Sequence, residues 1–568
     1  MDIIHNKYFR FYFETAMRLQ QQYQLLYQNF GGAPAQPGLP QLAALWQCSE
    51  RNARLQLARM RERGWLAWQA GRGRGHHSTL QLLQSPDQLD WQQLQRMLAQ
   101  GQLEQAFSRL PPVRQEQLLA SMPLHLGASD SGRSLRIPIP HAPLTLDPQQ
   151  VNSRLEAHLV RQIFDRLCRH DKQGRELRPA LAHHWESDAA GRHWRFWLRP
   201  GLRFHDGSPL DAETAAASLL RLKRSDNPCH PLYAHLRDIG IDDALSFSCR
   251  LTEADYLWPQ RLASANASIV PLRRGADFAR MPVGSGPFRV ELHSPQRLRL
   301  AAFEQHYRQR ALLDAIELWI IPPPAEQGFH LRLEYGNQRG ATMLQSACTY
   351  LLLRPGSPRI PDRQRLPLMS FLASPHPVAA NADRAPAHGL QPGWAHPRPA
   401  AHQPPRLPAR TLTLFHYDLP CFPPLAAALA ERLSLLGITL DIRCLPRREF
   451  FAPAAWSSQA DLILCSELLH DDRDFGMFEW LSGCCTLSLG LAETTLARLR
   501  AQMHSLQAEP DCAARQDGYR RAGDWLVREG WMLPLSHETL GHDASPQLAG
   551  LQLGGNGWTD FAGLWLRG

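Results

Sequence analysis

From Leu19 onward, apolar residues recur at helical spacing. Leu19, Tyr23, Leu26, Tyr27 and Phe30 fall at i, i+4, i+7, i+8 and i+11, one face of a helix that Gly31-Gly32 ends. Residues 1–16 carry aromatics without a period and read as an extension, with Met17 as an alternative start. Leu39, Leu42, Ala43 and Trp46 predict a second, shorter helix. Gln47-Cys48-Ser49 then reads as a turn whose Ser49 caps a third helix over 50–63. That helix buries Ala53, Leu57 and Met60 and stops at Gly64. Trp65–Trp68 and Thr79–Leu82 predict two strands around the glycine-rich stretch 71–77. Helix, helix, turn, helix and a two-stranded hairpin is the order of a winged helix-turn-helix.

Beyond residue 84 the pattern changes twice. Residues 84–127 are rich in Gln and Leu around Pro111-Pro112, which predicts two helices forming a connecting hairpin. From about Leu135 strand-like runs alternate with loops. Residues 375–408 hold nine prolines in 34 positions, so they form neither a strand nor a long helix; they are a linker or a long surface excursion. The expected division is a DNA-binding domain over 1–83, a helical connector over 84–134 and a third region over 135–568 that contains the 375–408 excursion. No run approaches the ~18 apolar residues of a membrane span.

Charge sharpens the first of these regions. The net charge of +9 is mild for 568 residues, but between Ser49 and His77 seven arginines face only Glu50 and Glu62. Arg51, Asn52 and Arg54 project from the first turn of the third helix, where Arg suits guanine and Asn suits adenine. Arg72 and Arg74, with His76 beside them, occupy the hairpin tip, placed for the DNA backbone or minor groove. Ser49, Arg51, Asn52, Arg54, Arg72, Arg74 and His76 are therefore the candidate DNA contacts. Only three basic residues of the whole chain are lysines, a bias toward arginine that is read as coding-DNA background.

Other chemistry is thin. Eleven scattered cysteines without a C-x-x-C spacing imply a reducing compartment, and the first residues lack the apolar core of a secretory leader, so a cytoplasmic location is expected. Gly71, Gly73 and Gly75 link two strands and do not form a dinucleotide fingerprint. His537 and His542 stand one residue too far apart for a zinc-binding H-E-x-x-H helix. No nucleophile elbow or phosphate loop occurs, and no enzyme activity, cofactor or metal is expected.

The segment 177–223, LRPALAHHWESDAAGRHWRFWLRPGLRFHDGSPLDAETAAASLLRLK, resembles the opening signature of the family 5 extracellular solute-binding proteins. Pro179, Leu181, Ala182, Trp185, Glu186, Leu198, Arg199, Gly201, Phe204, His205, Asp206 and Gly207 fall in its register. PVGSGPFRV (282–290) is similar to a second motif of that family, with Ser285 and Phe288 as departures. AFEQHYR (302–308), LDAIELWIIP (313–322) and the tail 533–565 resemble its continuation. A winged helix followed by such a module resembles the SgrR-type transcriptional regulators.

The resemblance implies a multidomain α+β and α/β chain. It would pair a DNA-binding domain with a two-lobed periplasmic-binding-protein-like sensor of the oligopeptide type, the lobes joined by crossover strands of which PVGSGPF is one. It implies promoter DNA as one partner, a hexose phosphate or a peptide as ligand, and no membrane partner. It puts a cleft-facing loop at 471–480, which makes Asp472 or Asp474 a candidate ligand contact and Arg473 an anion partner. An exposed charged loop is the plainer alternative. Trp394 is a candidate stacking platform or a packed turn residue. The competing function is a peptide- or solute-binding protein of an uptake system without a DNA role.

Overall fold

A computed structural model describes residues 19–31, 33–71, 78–99, 133–139, 141–151, 153–171, 176–320, 330–335, 341–377, 384–401, 403–469, 472–482, 486–554 and 557–567. The chain separates into two compact units, residues 1–125 and 126–568.

In the first unit, residues 19–30 are helical (α1) and bury Leu19, Tyr23 and Leu26, the predicted face. Helix α2 (Leu39–Leu45) and helix α3 (Glu50–Glu62) follow, separated by a turn in which Gln47 takes a positive φ of 50°. Strands β1 (Leu66–Gln69) and β2 (Thr79–Leu82) pair antiparallel with Leu66 opposite Leu82. A feature invisible to periodicity completes the small sheet, because Ala35 exchanges both backbone hydrogen bonds with Leu80. The Tyr23 hydroxyl, 2.8 Å from the Trp65 carbonyl and 2.7 Å from that of Gln84, ties α1 to the start of the hairpin and to the segment after it. Helix α4 (Pro86–Ala99) is the described part of the expected connector; residues 100–132 lie outside the described residues.

The second unit is built on three main sheets. Sheet A holds β3 (Ser134–Ile139), β10 (Phe288–His293), β11 (Arg297–Ala302) and β12 (Ala315–Ile320), with β3 parallel to β12. Helix α5 (Arg154–Ile163) adds Leu159, Val160 and Ile163 to the core of that sheet. The antiparallel sheet B is formed by β6 (Ala182–Ser187), β7 (His193–Leu198), β8 (Leu236–Asp243) and β9 (Ser246–Leu251). It is reached through the short hairpin of β4 (Cys168–His170) and β5 (Leu177–Pro179), and helix α6 (Ala212–Leu222) follows β7. Sheet C gathers β15 (Ala347–Leu353), β17 (Thr411–Tyr417), β18 (Thr439–Leu445), β19 (Leu462–Leu468) and the long β20 (Met532–Ala544). One hydrophobic core fills sheet A, and a second runs through sheets B and C.

The proline-rich stretch is an excursion packed within this unit. Residues 384–386 pair with β20, and Ala387, Leu390, Gln391 and His396 are buried. The sequence His537–His542 lies in β20, a strand, with His537 Nδ1 2.7 Å from the Ala347 carbonyl. All nine cysteines among the described residues are free thiols.

Residues 282–287 carry the chain from the sheet B side back to β10 of sheet A, and they explain the G-S-G of that motif. A Cβ on Gly284 would meet the Ile163 carbonyl oxygen at 2.1 Å, and one on Gly286 the Ile163 carbonyl carbon at 2.6 Å. Only glycine lets this backbone approach the end of α5 so closely. Ser285 between them accepts from the Asp165 amide at 3.2 Å. His205 then clamps the segment: its own amide donates to the Gly284 carbonyl (2.8 Å), its Nδ1 accepts from the Gly284 amide (3.2 Å), and its Nε2 lies 3.0 Å from the Gly286 carbonyl.

This geometry requires a neutral ring, one nitrogen accepting and the other donating. Burial is the largest influence on His205 and lowers its pKa from 6.5 to about 4, with Asp165, His306 and Arg289 as charged neighbours. The unfolded chain therefore binds a proton below about pH 6.5 that the folded one refuses, so this contribution is complete above that pH and lost on acidification toward 4. We expect the unfolding free energy of the full chain to fall from pH 7 to pH 4.5, with His205 contributing up to about 1.4 kcal/mol per pH unit. His205→Gln should be less stable at pH 7 and show a shallower decline in denaturant titrations. An unchanged slope would show that the clamp does not titrate.

Candidate nucleic-acid interface and ligand module

Helix α3 has an inner and an outer side. Ala53, Leu57 and Met60 are wholly buried in the core of the first unit, alongside Leu42, Leu66 and Leu80. Ser49 accepts from the Asn52 amide at 3.3 Å, which satisfies one of the free N–H groups of the first turn. With the inner side fixed, Arg51, Asn52 and Arg54 are exposed. The ion pair of Arg54 with Glu50, 3.9 Å between two exposed side chains, is weak enough to exchange for a phosphate. Gln56 Nε2 donates to Asn52 Oδ1 at 3.3 Å and orients the amide. Ser49, Arg51, Asn52, Arg54, Leu55 and Ala58 together line a shallow surface depression.

Leu55, half exposed within this otherwise polar face, was not anticipated from the sequence; its signal is its helical phase, opposite to Ala53, Leu57 and Met60. Arg72, Arg74 and His76 lie outside the described residues. The base of their hairpin is set by the β1–β2 register and by the Gly71 amide, which donates to Ser78 Oγ at 3.3 Å.

In the second unit, helix α7 (Arg473–Leu481) and its N-cap Asp472 hold three of the four ligand candidates. Asp472 caps the helix, accepting from the Asp474 amide at 2.9 Å, and its Oδ2 stands 3.5 Å from His170 Nε2 of β4. Arg473 is exposed. Asp474 turns inward, against α8 (Cys512–Arg528): Arg515 Nε lies 3.0 Å from its Oδ2, and the Tyr519 hydroxyl donates to its Oδ1 at 3.0 Å. Its carboxylate is thus engaged by Arg515 and Tyr519. Trp394 is half-buried in its turn, edge-on to His396 at 5.9 Å, with its backbone so close to Gly389 that a Cβ there would meet it at 2.5 Å.

Two carboxylates on sheet C carry no sequence signal. Glu538 is buried beside Thr349 Oγ1 (3.4 Å), and Glu467 accepts from Thr486 Oγ1 at 3.0 Å. Lying within apolar strand runs, they gave no motif. Among the described residues no His, Cys, Asp and Glu cluster could hold a metal ion, and no helix is long and apolar enough to cross a membrane.

Residues 18–132 match the family model described as the sugar transport-related sRNA regulator N-terminal domain, and residues 176–332 match the middle part of the bacterial extracellular solute-binding proteins, family 5. The HTH-type transcriptional regulator SgrR of Escherichia coli K12 is 30% identical over 567 residues, spanning 96% of this chain and 98% of that protein. The chain belongs to the SgrR family of HTH-type transcriptional regulators. The SgrR of Yersinia pseudotuberculosis is 29% identical over 97% of this chain and 99% of its own length.

Solved structures similar to the chain include the Escherichia coli murein tripeptide binding protein MppA (TM-score 0.65, 16% identity, 77% of this chain and 99% of that one). The oligopeptide-binding protein AppA from Bacillus subtilis, in complex with a nonapeptide, gives TM-score 0.65 at 14% identity, over 77% of this chain and 99% of that one. These likenesses establish the two-lobed solute-binding fold. SgrR-family architecture is thus a helix-turn-helix regulator carrying a solute-binding module.

Removing Asp474 strands Arg515 in the interior, and breaking a buried pair in this way costs about 3–5 kcal/mol. Loss of the Asp472 cap costs about 1 kcal/mol. Denaturant unfolding of Asp474→Ala and Asp472→Ala should therefore separate sharply. Equal, small effects would refute the packing role given to Asp474.

Proposed function

We propose that α3 enters the major groove of promoter DNA. In this reading Arg51 and Arg54 reach guanine edges, Asn52 reaches adenine, and Arg72, Arg74 and His76 contact the backbone or minor groove. The observation that carries it is the division of α3: a capped start, an inner face closed off by Ala53, Leu57 and Met60, and an outer face of exposed Arg51, Asn52 and Arg54. The second unit senses a small solute, a hexose phosphate or a peptide. The fold shared with peptide binders such as MppA and AppA supports such a role. Asp472, which faces His170, and the exposed Arg473 are the ligand-facing candidates of that loop. The protein acts in the cytoplasm by binding, not by catalysis. Ligand shifts DNA affinity only as far as it prefers one arrangement of the module, commonly about 5–150-fold.

The test is a footprint of the full chain on the DNA upstream of its own gene, then on genomic fragments, at fixed salt, with and without glucose 6-phosphate or a tripeptide. We expect a discrete protected site whose midpoint shifts with one of these. Replacing both Arg51 and Arg54 by Ala should abolish the site while leaving the unfolding of the second unit unchanged. An unaltered footprint in that variant would exclude α3 as the reading helix, and no site in either screen would favour a binding protein without a DNA role.

A further inference from the structure

Beside the 282–287 crossing, the second unit holds more arginine charge than its neighbouring acids neutralise. Tyr307 is the centre of the group. Arg199 lies over its ring at 5.8 Å, and its hydroxyl, buried and without a hydrogen bond among the described residues, sits in the field of Arg166 and Arg308. Arg169, three residues beyond Arg166 at the start of the β4 hairpin, feels both Arg308 and Tyr307.

The two acids nearby are already engaged. Asp165 Oδ2 is 3.0 Å from His306 Nε2, and Asp560 accepts from the Ala562 amide at 3.2 Å. The arginines are engaged unequally. Arg199 Nε donates to the Ala180 carbonyl at 2.8 Å, so its role is fixed. Arg166 has only a long contact, 3.4 Å, to the Phe164 carbonyl, and its Nε is buried without a partner among the described residues. Arg169 Nε is in the same state. Burial presses the pKa of both guanidiniums down; at Arg166 the Asp165 carboxylate opposes it and Arg161 adds to it, and at Arg169 it is Arg308 that adds to it. An arginine keeps its charge regardless, so two guanidiniums with unpartnered Nε atoms, Arg166 and Arg169, are held where desolvation makes an uncompensated charge expensive, with the exposed Arg308 beside Arg169.

An anion removes that conflict: a phosphate or carboxylate accepts from several guanidinium N–H groups at once, and from a tyrosine hydroxyl. We propose that Arg166, Arg169 and Arg308, with the Tyr307 hydroxyl, form a binding site for a small molecule that presents a phosphate or carboxylate group. Arg308, exposed, forms the rim, and Arg166 the floor. Because Asp165, next to Arg166, is bonded through its amide to Ser285, an anion here acts directly on the crossing between sheets A and B. The site is read from the second unit alone; only its regulatory meaning rests on the ligand-responsive function proposed above.

Calorimetric titration of the full chain with inorganic phosphate, and separately with acetate, at ionic strength held constant with sodium chloride tests the site. Saturable binding is expected for at least one anion, and the stronger arm identifies the source, phosphate ester or carboxylate. Arg169→Gln and Arg308→Gln should each weaken it by about tenfold or more, the loss of a charge-assisted hydrogen bond, and Tyr307→Phe by less. In anion-free buffer Arg308→Gln, at the rim, should leave the unfolding midpoint equal or raised, which a purely structural arginine would not. Heats no larger than those of sodium chloride for both anions, or an affinity in both arginine variants unchanged from that of the parent chain, would overturn the site. A protein that binds phosphate while its DNA footprint ignores phosphate keeps the site and loses only the regulatory reading.

Discussion

A neutral imidazole held between two glycine backbones is the joint on which the second unit depends. His205 can grip residues 284–286 only because they lie flat against the end of α5, and they lie flat only because neither glycine carries a Cβ. The two stretches are nearly eighty residues apart, yet each is meaningless alone. Phe204-His205-Asp206-Gly207 is a tight turn that presents a ring, and PVGSGPF is the strand entry that receives it. Sheet B is thereby held to sheet A, and β10 begins in the right place to receive β11.

The first unit solves a different problem with the same economy. A thirteen-residue helix must hold its exposed side chains in a fixed direction while belonging to a domain with a small core. Burial of Ala53, Leu57 and Met60 fixes its rotation, the Ser49 cap fixes its start, and the turn at Gln47 fixes its angle to α2. What faces outward follows from what faces inward. This is why Leu55 is exposed although it is as apolar as Leu57.

That logic also marks how much was legible beforehand. Element order in the first unit followed from periodicity, the cap and Gly64, because each is a local signal. The bridge between Ala35 and Leu80 was not legible, since a single pair of backbone bonds leaves no side-chain pattern. In the second unit the motifs around His205 and Gly284 were recognisable by resemblance, but their meeting was not, because it is made across a long span of chain. The candidate site was least legible of all. Asp472 and Asp474 are two residues apart and equally acidic, and only tertiary structure turns one to the Asp474–Arg515 pair and leaves the other as a cap beside His170. The arginines around Tyr307 looked like background in a chain where arginine is common.

Strand β20 belongs to both cores of the second unit. Met532, Leu533 and Leu535 fill the one that runs through sheets B and C, while its far end pairs with residues 331–335, whose Leu331 is in the core of sheet A. Leu548, Phe561 and Leu564 then complete the sheet A core. During synthesis neither core can close until these last segments have emerged, although α3 was made some 470 residues earlier. The order of manufacture thus places the reader first and the sensor last, and every newly made chain passes through an interval in which it holds a finished α3 and an unfinished means of governing it.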